Sequence, residues 1–173
     1  MNIFHHCIKP FVISLVIVVA VCGPLTVART EDWYRWRGPN MDGISRELGW
    51  SVQWPAGKPK IAWTQSVGIG FSSIVVSGDH VFTIGHQDDQ DVIICLSVTN
   101  GQVIWRYGYE APLDDRDFEG GPTTTPTIDA DQLYVLSRSG ELFCLRCASG
   151  DLVWRKQIAD MAEVRLPGWG CSA

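Results

Sequence analysis

The chain has 173 residues, with 14 basic and 19 acidic side chains and a formal net charge of −5, and 46% of its residues are hydrophobic. This composition is that of a globular protein and excludes a disordered chain. It contains no run of basic residues, which argues against nucleic acid or an anionic membrane surface as a partner.

Residues 1–28 are predicted to be a secretory signal peptide. Lys9 precedes an apolar run from Phe11 to Val21, Gly23 and Pro24 break the run, and residues 26–28 (Thr-Val-Ala) offer a small-residue cleavage site. This order predicts export to the periplasm or the extracellular space. An uncleaved membrane anchor is the alternative, although the run is shorter than the ~20 residues that span a bilayer.

Residues 29–66 are predicted to form an N-terminal strap, rich in Trp, Gly and Pro, and then an incomplete strand that ends at Trp63. The strap has two tryptophans three residues apart, with an arginine between them and another after them, and a guanidinium can stack on an indole. We expect this part of the chain to pack on the domain, and a binding platform for a partner is the alternative. The candidate residues of this interaction strap are Trp33, Arg35, Trp36 and Arg37.

Short β-strands separated by turn residues follow, and their order repeats. They are predicted at 73–77, 80–86, 92–96 and 102–107, and again at 124–129, 132–138, 141–146 and 151–157. The run 92–96 is apolar throughout, which is typical of a strand buried on both faces. Because no segment has helical periodicity, we predict an all-β chain.

The ends of the two copies obey one spacing. Gly101 and Gly150 each come five residues after a Cys-Leu pair, and Trp105 and Trp154 each come four residues after the glycine. With Trp63 as the end of an earlier copy, the tryptophans are 42 and 49 residues apart. A repeat of this length, built from short strands, is typical of a β-propeller, in which four-stranded sheets called blades are stacked.

The repeat predicts a first blade at 67–109, a second blade at 123–160 and the start of a further blade at 161–173. The acidic loop 110–122 between the blades holds Asp114, Asp115, Asp117 and Glu119, and a solvated loop is expected although carboxylates can also ligate calcium. Small residues at 68–70 and 120–122 precede the two blades and are expected to let the blades approach closely.

The cysteines and histidines carry no recognisable site. Cys95 and Cys144 hold the same place in two apolar strands and are expected to be buried small hydrophobes. The disulfide state of these two residues, Cys147 and Cys171 stays open, and a zinc or redox role for the Cys-x-x-Cys pair at 144–147 is disfavoured because no second ligand pair accompanies it. His80 and His86 are each expected to be a solvated or hydrogen-bonded loop residue.

The repeat ends at 101–105 and 150–154, together with the hairpins at 77–82 and 129–134, resemble the repeat of pyrroloquinoline-quinone (PQQ)-type β-propellers. Residues 33–40, 54–55 and 61–63 resemble the start of bacterial exported members of that family. The resemblance implies that a tryptophan closes each blade and docks on its neighbour. It assigns this structural role to Trp63, Trp105, Trp154, Gly101 and Gly150.

The fold implied by the resemblance is a partial β-propeller of two four-stranded antiparallel blades plus part of a third, stacked but unable to close. The chain after residue 28 is long enough for about three blades of about 45 residues, whereas complete propellers have four to eight. We therefore expect this chain to be the N-terminal portion of a longer propeller.

The function implied by the resemblance is that of an exported PQQ-like propeller protein, or a fragment of one, which acts as a non-catalytic binding or scaffold module. Its partner would be another protein or the remainder of the propeller. No adjacent cysteine pair, calcium-ligand cluster or catalytic aspartate can be placed, so no catalytic, cofactor-binding or metal residue is assigned. The alternatives are a fragment of a quinone-dependent alcohol dehydrogenase-like enzyme, with PQQ and calcium as cofactors, and a degenerate inactive fragment.

Overall fold

The computed structural model describes residues 31–49, 51, 53–54, 57–115, 119–158 and 160. The elements of this part are eight β-strands in two separate four-stranded sheets. The predicted signal peptide, at 1–28, and the predicted start of a further blade, at 161–173, lie outside the described residues. Within the described residues, no helix combines the length and the apolar character needed to cross a membrane.

The first blade is an antiparallel sheet whose strands lie in chain order. Its strands are β1 (Val75–Ser77), β2 (His80–Gln87), β3 (Gln90–Ser97) and β4 (Val103–Glu110). Asp88 and Asp89 join β2 to β3 with positive φ angles of 50° and 58°. Two consecutive positive φ angles are typical of the type I′ turn, which matches the twist of the strands that it joins.

The second blade repeats this arrangement. Its strands are β5 (Thr127–Asp129), β6 (Gln132–Leu136), β7 (Glu141–Arg146) and β8 (Leu152–Gln157). Each blade has a register shift directly after its central cysteine, between Cys95 and Leu96 in the first and between Cys144 and Leu145 in the second. The prediction of an all-β chain with two four-stranded antiparallel blades is confirmed.

The main core lies between the two blades. Side chains alternate between the two faces of a strand, so β3 sends Ile93 and Cys95 into this core, where they join Phe82, Leu133 and Phe143 among others. The other face of β3 packs beneath Trp63 and Val67 of the preceding segment. The expectation that residues 92–96 are buried on both faces is therefore confirmed. Each large side chain buried in this way contributes about 1.5–3 kcal/mol.

The segments that precede the two blades touch directly. Phe71 N–H donates to the carbonyl of Pro122 at 2.8 Å. A Cβ at Gly121 would lie 2.7 Å from the carbonyl oxygen of Ile69, and a Cβ at Gly70 would lie 3.1 Å from the ring of Pro122. The small residues expected at these two places thus permit the close approach of the blades.

An indole ring joins the two blades at one end. The Nε1–H of Trp105 donates to the carbonyl of Cys147 at 2.8 Å, and the ring covers Gly150, whose φ is 75°. A Cβ at Gly150 would lie 2.6 Å from that ring. Both the backbone conformation and the space therefore require glycine at this position.

Trp63 makes the same contact with the first blade. Its Nε1–H donates to the carbonyl of Val98 at 2.8 Å, and its ring covers Gly101, which also has a positive φ. Trp154 is at the equivalent position in the second blade, where it pairs with Cys144. Its side chain lies on the face of that blade that points away from the first blade. Lys156 lies over its ring, with the ammonium 5.6 Å from the ring centroid.

We predict that Gly150→Ala lowers the free energy of unfolding by about 2–5 kcal/mol, because it adds a strained backbone conformation to a steric overlap with Trp105. Urea unfolding of the purified chain measures this loss. Gly78→Ala is the matched control, since Gly78 also has a positive φ of 54° but no atom lies within 4 Å of an added Cβ. That control is expected to lose only about 1–2 kcal/mol, and equal losses in the two variants would contradict the docking role of Trp105.

Candidate functional site

A buried ionic cluster joins the blades at the end opposite to Trp105. The carboxylate of Asp91 is fully buried and accepts two hydrogen bonds from the guanidinium of Arg138, from Nε at 3.2 Å and from Nη2 at 3.1 Å. His86 Nδ1 lies 2.9 Å from Asp91 Oδ1, and the hydroxyl of Tyr109 donates to Oδ2 at 3.5 Å. The bidentate ion pair between Arg138 and Asp91 belongs to the stronger class of polar contacts in proteins.

Strand register places this cluster. His86 and Tyr109 stand directly opposite Asp91 on the neighbouring strands β2 and β4, so the first blade supplies three members. Arg138 follows β6 and reaches across from the second blade. His86 comes four residues after Phe82, which pairs with Cys95. Arg138 comes four residues after Tyr134, which pairs with Cys144. His86 and Arg138 therefore hold the same position in the two copies.

The interpretation of His86 as a solvated or loop residue is wrong, because the side chain is buried and the residue lies within β2; only its hydrogen bond was expected correctly. Asp91 and Arg138 were missed altogether. The signal that could have found them is the alignment of the two copies, since His86 and Arg138 are polar residues at one repeat position in otherwise apolar strands.

The cluster lies in an apolar environment. The ring of Tyr109 stacks on Phe143 at a centroid distance of 4.6 Å. Burial, and then the charge of Asp91, raise the pKa of the Tyr109 hydroxyl well above its usual range. Tyr109 therefore stays protonated and serves as a hydrogen-bond donor to the carboxylate.

The buried carboxylate of Asp91 is fully engaged by protein groups. Both oxygens of Asp91 already accept hydrogen bonds from Arg138. Among the residues that the structure describes, no three His, Cys, Asp or Glu side chains are placed to hold a metal ion. Asp114 and Asp115 of the acidic loop are described, whereas residues 116–118 lie outside the described residues.

The thiols of the described part are free. Cys95 and Cys144 are fully buried, which confirms their interpretation as small hydrophobes, and Cys147 is half-buried. Burial, and then the proximity of Cys147, raise the pKa of Cys95 to about 12. Burial, and then the charge of Asp131, raise the pKa of Cys147 to about 11. At neutral pH these thiols are protonated and therefore weak nucleophiles.

The N-terminal strap pairs with the edges of both blades through its main chain. Trp33 exchanges two backbone hydrogen bonds with Val76 of β1, at 2.8 and 2.9 Å, and the carbonyl of Tyr34 accepts from Ile128 N–H of β5 at 2.7 Å. The ring of Trp33 lies against Gly38, whose φ of 76° turns the chain. The strap thus forms one β-bridge with the first blade and one backbone hydrogen bond with the second.

The four candidate residues of the strap fall into two groups. Trp33 and Arg35 are half-buried against the blades. Trp36, by contrast, is 50% exposed, and the guanidinium of the exposed Arg37 lies 5.4 Å from the centroid of its ring. The structure therefore does not bring all four residues to one surface.

Comparisons with known proteins found a family match in the second half of the chain. Residues 88–165 match the PQQ-type family model described as outer membrane protein assembly factor BamB. An uncharacterized protein of Rickettsia conorii (strain ATCC VR-613 / Malish 7) is 31% identical over 81 residues, which are 44% of this chain and 19% of that protein. The crystal structure of BamB from Moraxella catarrhalis has a TM-score of 0.44 and 19% sequence identity, over 56% of this chain and 28% of that chain.

The resemblance to PQQ-type repeats is thereby confirmed for residues 88–165, which run from the β2–β3 turn through the second blade. The chain covers less than a third of the solved structure and about a fifth of the curated relative. What those whole proteins do is therefore a matter of proposal for this chain.

We predict that Arg138→Met lowers the free energy of unfolding by about 3–5 kcal/mol, because it leaves the buried carboxylate of Asp91 without its ion-pair partner. Arg155→Met is the matched control, since Arg155 pairs with Glu141 at 3.4 Å but is 59% exposed and is expected to cost at most about 1 kcal/mol. Chemical unfolding compares the two variants. If the losses are similar, the cluster does not hold the blades together.

A second prediction concerns alkaline pH. The pKa values of Cys95 and Cys147 are raised above their ordinary value of 9.0 in the folded chain, so the unfolded chain releases these protons first. The stability that they contribute is therefore fully present below pH 9 and is lost as the pH rises toward 11. The raised pKa of Tyr109 extends this loss above pH 10.

The measurement is the free energy of unfolding between pH 8 and about pH 11. Cys95→Ala removes one of the titrating groups. We expect its free energy of unfolding to fall less steeply with rising pH than that of the parent chain. A parent and a variant with the same slope would show that Cys95 does not titrate as described.

Proposed function

We propose that this chain is an exported PQQ-like β-propeller protein, or a fragment of one, and that it acts as a non-catalytic scaffold that binds another protein. The match of residues 88–165 to a family model described as an outer membrane protein assembly factor supports this class of function. The signal-peptide pattern at residues 1–28 supports export into the cell envelope.

The observation that carries the proposal is the exposed aromatic and cationic pair on the strap. Trp36 is half exposed although it is a large apolar side chain, and Arg37 stacks on its ring. Tryptophan and arginine are enriched among the residues that dominate the energetics of protein interfaces. Backbone hydrogen bonds from Trp33 and Tyr34 to both blades hold the neighbouring strap residues in place, which lowers the entropic cost of binding.

The polar side chains in the core support the same proposal. Asp91 bonds to His86 within the first blade and to Arg138 of the second blade, so these side chains contribute to the fold. The surface of the strap, in contrast, offers further exposed apolar side chains close in sequence to Trp36, namely Met41 at 56% and Ile44 at 61% exposed. Exposed apolar side chains beside polar ones are common in protein interaction sites.

Site-specific photo-crosslinking of the full chain, in the organism that encodes it, tests the proposal. A photoreactive phenylalanine derivative replaces Trp36 in one variant, and in the control variant it replaces Ile104 of β4, which is 46% exposed. We expect a discrete crosslinked protein from position 36 and none from position 104. With that protein purified, Trp36→Ala should weaken binding at least tenfold, or about 1.4 kcal/mol.

The same crosslinks from both positions, or none from position 36, would contradict a specific interface on the strap. A separate assay addresses catalysis, in which the purified full chain is loaded with PQQ and calcium and tested for dye-linked oxidation of alcohols. Saturable oxidation would replace the scaffold function by the quinone-dependent enzyme alternative.

A further inference from the structure

A cavity of about 390 Å³ lies between the N-terminal strap and the ends of strands β1 and β5. Both blades and the strap contribute to its wall, through the residues Asp32, Tyr34, Arg35, Ser77, Ile128 and Asp129. Its size is in the range of small-molecule sites in proteins. Trp36 and Arg37 do not line it, so an inference about this cavity is independent of the proposed protein interface.

Arg35 lines this cavity with a guanidinium that has few hydrogen-bond partners. Its Nε is buried and has no hydrogen-bond partner, while Nη1 has only a weak contact with the sulfur of Met41 at 3.5 Å. The guanidinium lies 5.4 Å from the ring centroid of Tyr34, which orients it. Buried donors are nearly always bonded, and the planar guanidinium edge matches the two oxygens of a carboxylate.

Two carboxylates give the rest of the wall a negative charge. Asp32 already accepts hydrogen bonds from Ser77 Oγ at 3.1 Å and from Gly78 N–H at 2.9 Å. Asp129 is exposed and has no ion pair or side-chain hydrogen bond within the described part of the chain. The wall thus carries one cationic and two anionic groups, and a ligand that bears both charges can pair with Arg35 and with a carboxylate at once.

We propose that the cavity binds a small zwitterion of the α-amino acid class. Its carboxylate bonds to the guanidinium of Arg35, and its ammonium faces the carboxylate of Asp129. An apolar side chain of the ligand contacts Tyr34 and Ile128. A free amino acid and a short peptide both carry an ammonium and a carboxylate. In the peptide the two charged groups are further apart.

Isothermal titration calorimetry of the purified full chain with L-leucine tests the proposal. The comparison ligands are 4-methylpentanoate, which lacks the ammonium, 3-methylbutylamine, which lacks the carboxylate, and the dipeptide glycyl-leucine. We expect L-leucine or the dipeptide to bind, and each single-charge analogue to bind at least tenfold more weakly, because each loses a charge-assisted hydrogen bond. Whichever of L-leucine and glycyl-leucine binds with the lower Kd shows whether the ligand is a free amino acid or a short peptide.

Two conservative variants locate the site. Arg35→Lys keeps the charge but loses the planar donor edge, and Asp129→Asn keeps the shape but loses the charge, so each should weaken binding about tenfold or more. Arg46→Lys on the same strap is the control, since Arg46 is 68% exposed and does not line the cavity, and it should bind as the parent does. Circular dichroism and thermal unfolding of each variant establish that it is folded.

Three results would overturn the proposal. They are the absence of binding of either zwitterion to the folded parent chain, single-charge analogues that bind as tightly as L-leucine, and affinities that neither Arg35→Lys nor Asp129→Asn changes in folded protein.

Discussion

The stacking of the blades depends on one contact that occurs twice, in which an indole ring covers a glycine and donates its N–H to a nearby carbonyl. Trp105 makes it with Gly150 and Cys147 of the second blade, and Trp63 makes it at the first blade. The glycine must have both a positive φ and no side chain. The Gly-x-x-x-Trp spacing therefore links each blade to its neighbours, because the glycine receives one ring and the tryptophan supplies the next.

A different kind of interaction secures the far end of the same interface. Between Trp105 and the Asp91–Arg138 pair lies the apolar core, with Phe82 and Phe143 among its largest side chains. Burying a carboxylate is costly unless a cation and hydrogen bonds compensate for it, so Asp91 is compatible with this core only while the second blade supplies its guanidinium. The ion pair therefore links the two blades, while burial of apolar side chains is the dominant favourable term in folding.

The strap connects this interface to function. Its main chain is held by Val76 and Ile128, one residue from each blade, so its side chains are divided between two surfaces. Arg35 points toward the cavity beneath the strap, while its neighbour Trp36 is exposed to solvent. The proposed protein-binding surface and the proposed small-molecule site thus lie on different sides of one segment.

The sequence by itself determined the strands, their order and the buried cysteines, because apolar alternation, turn residues and the repeated spacing around Cys95 and Cys144 are local patterns that the backbone follows directly. Only the tertiary structure decided that Arg138 meets Asp91, 47 residues away, and that Arg35 and Trp36 serve different surfaces. Such contacts depend on which side chains face each other once two sheets are stacked. No short-range pattern encodes that relation, since it arises from the packing of the whole domain.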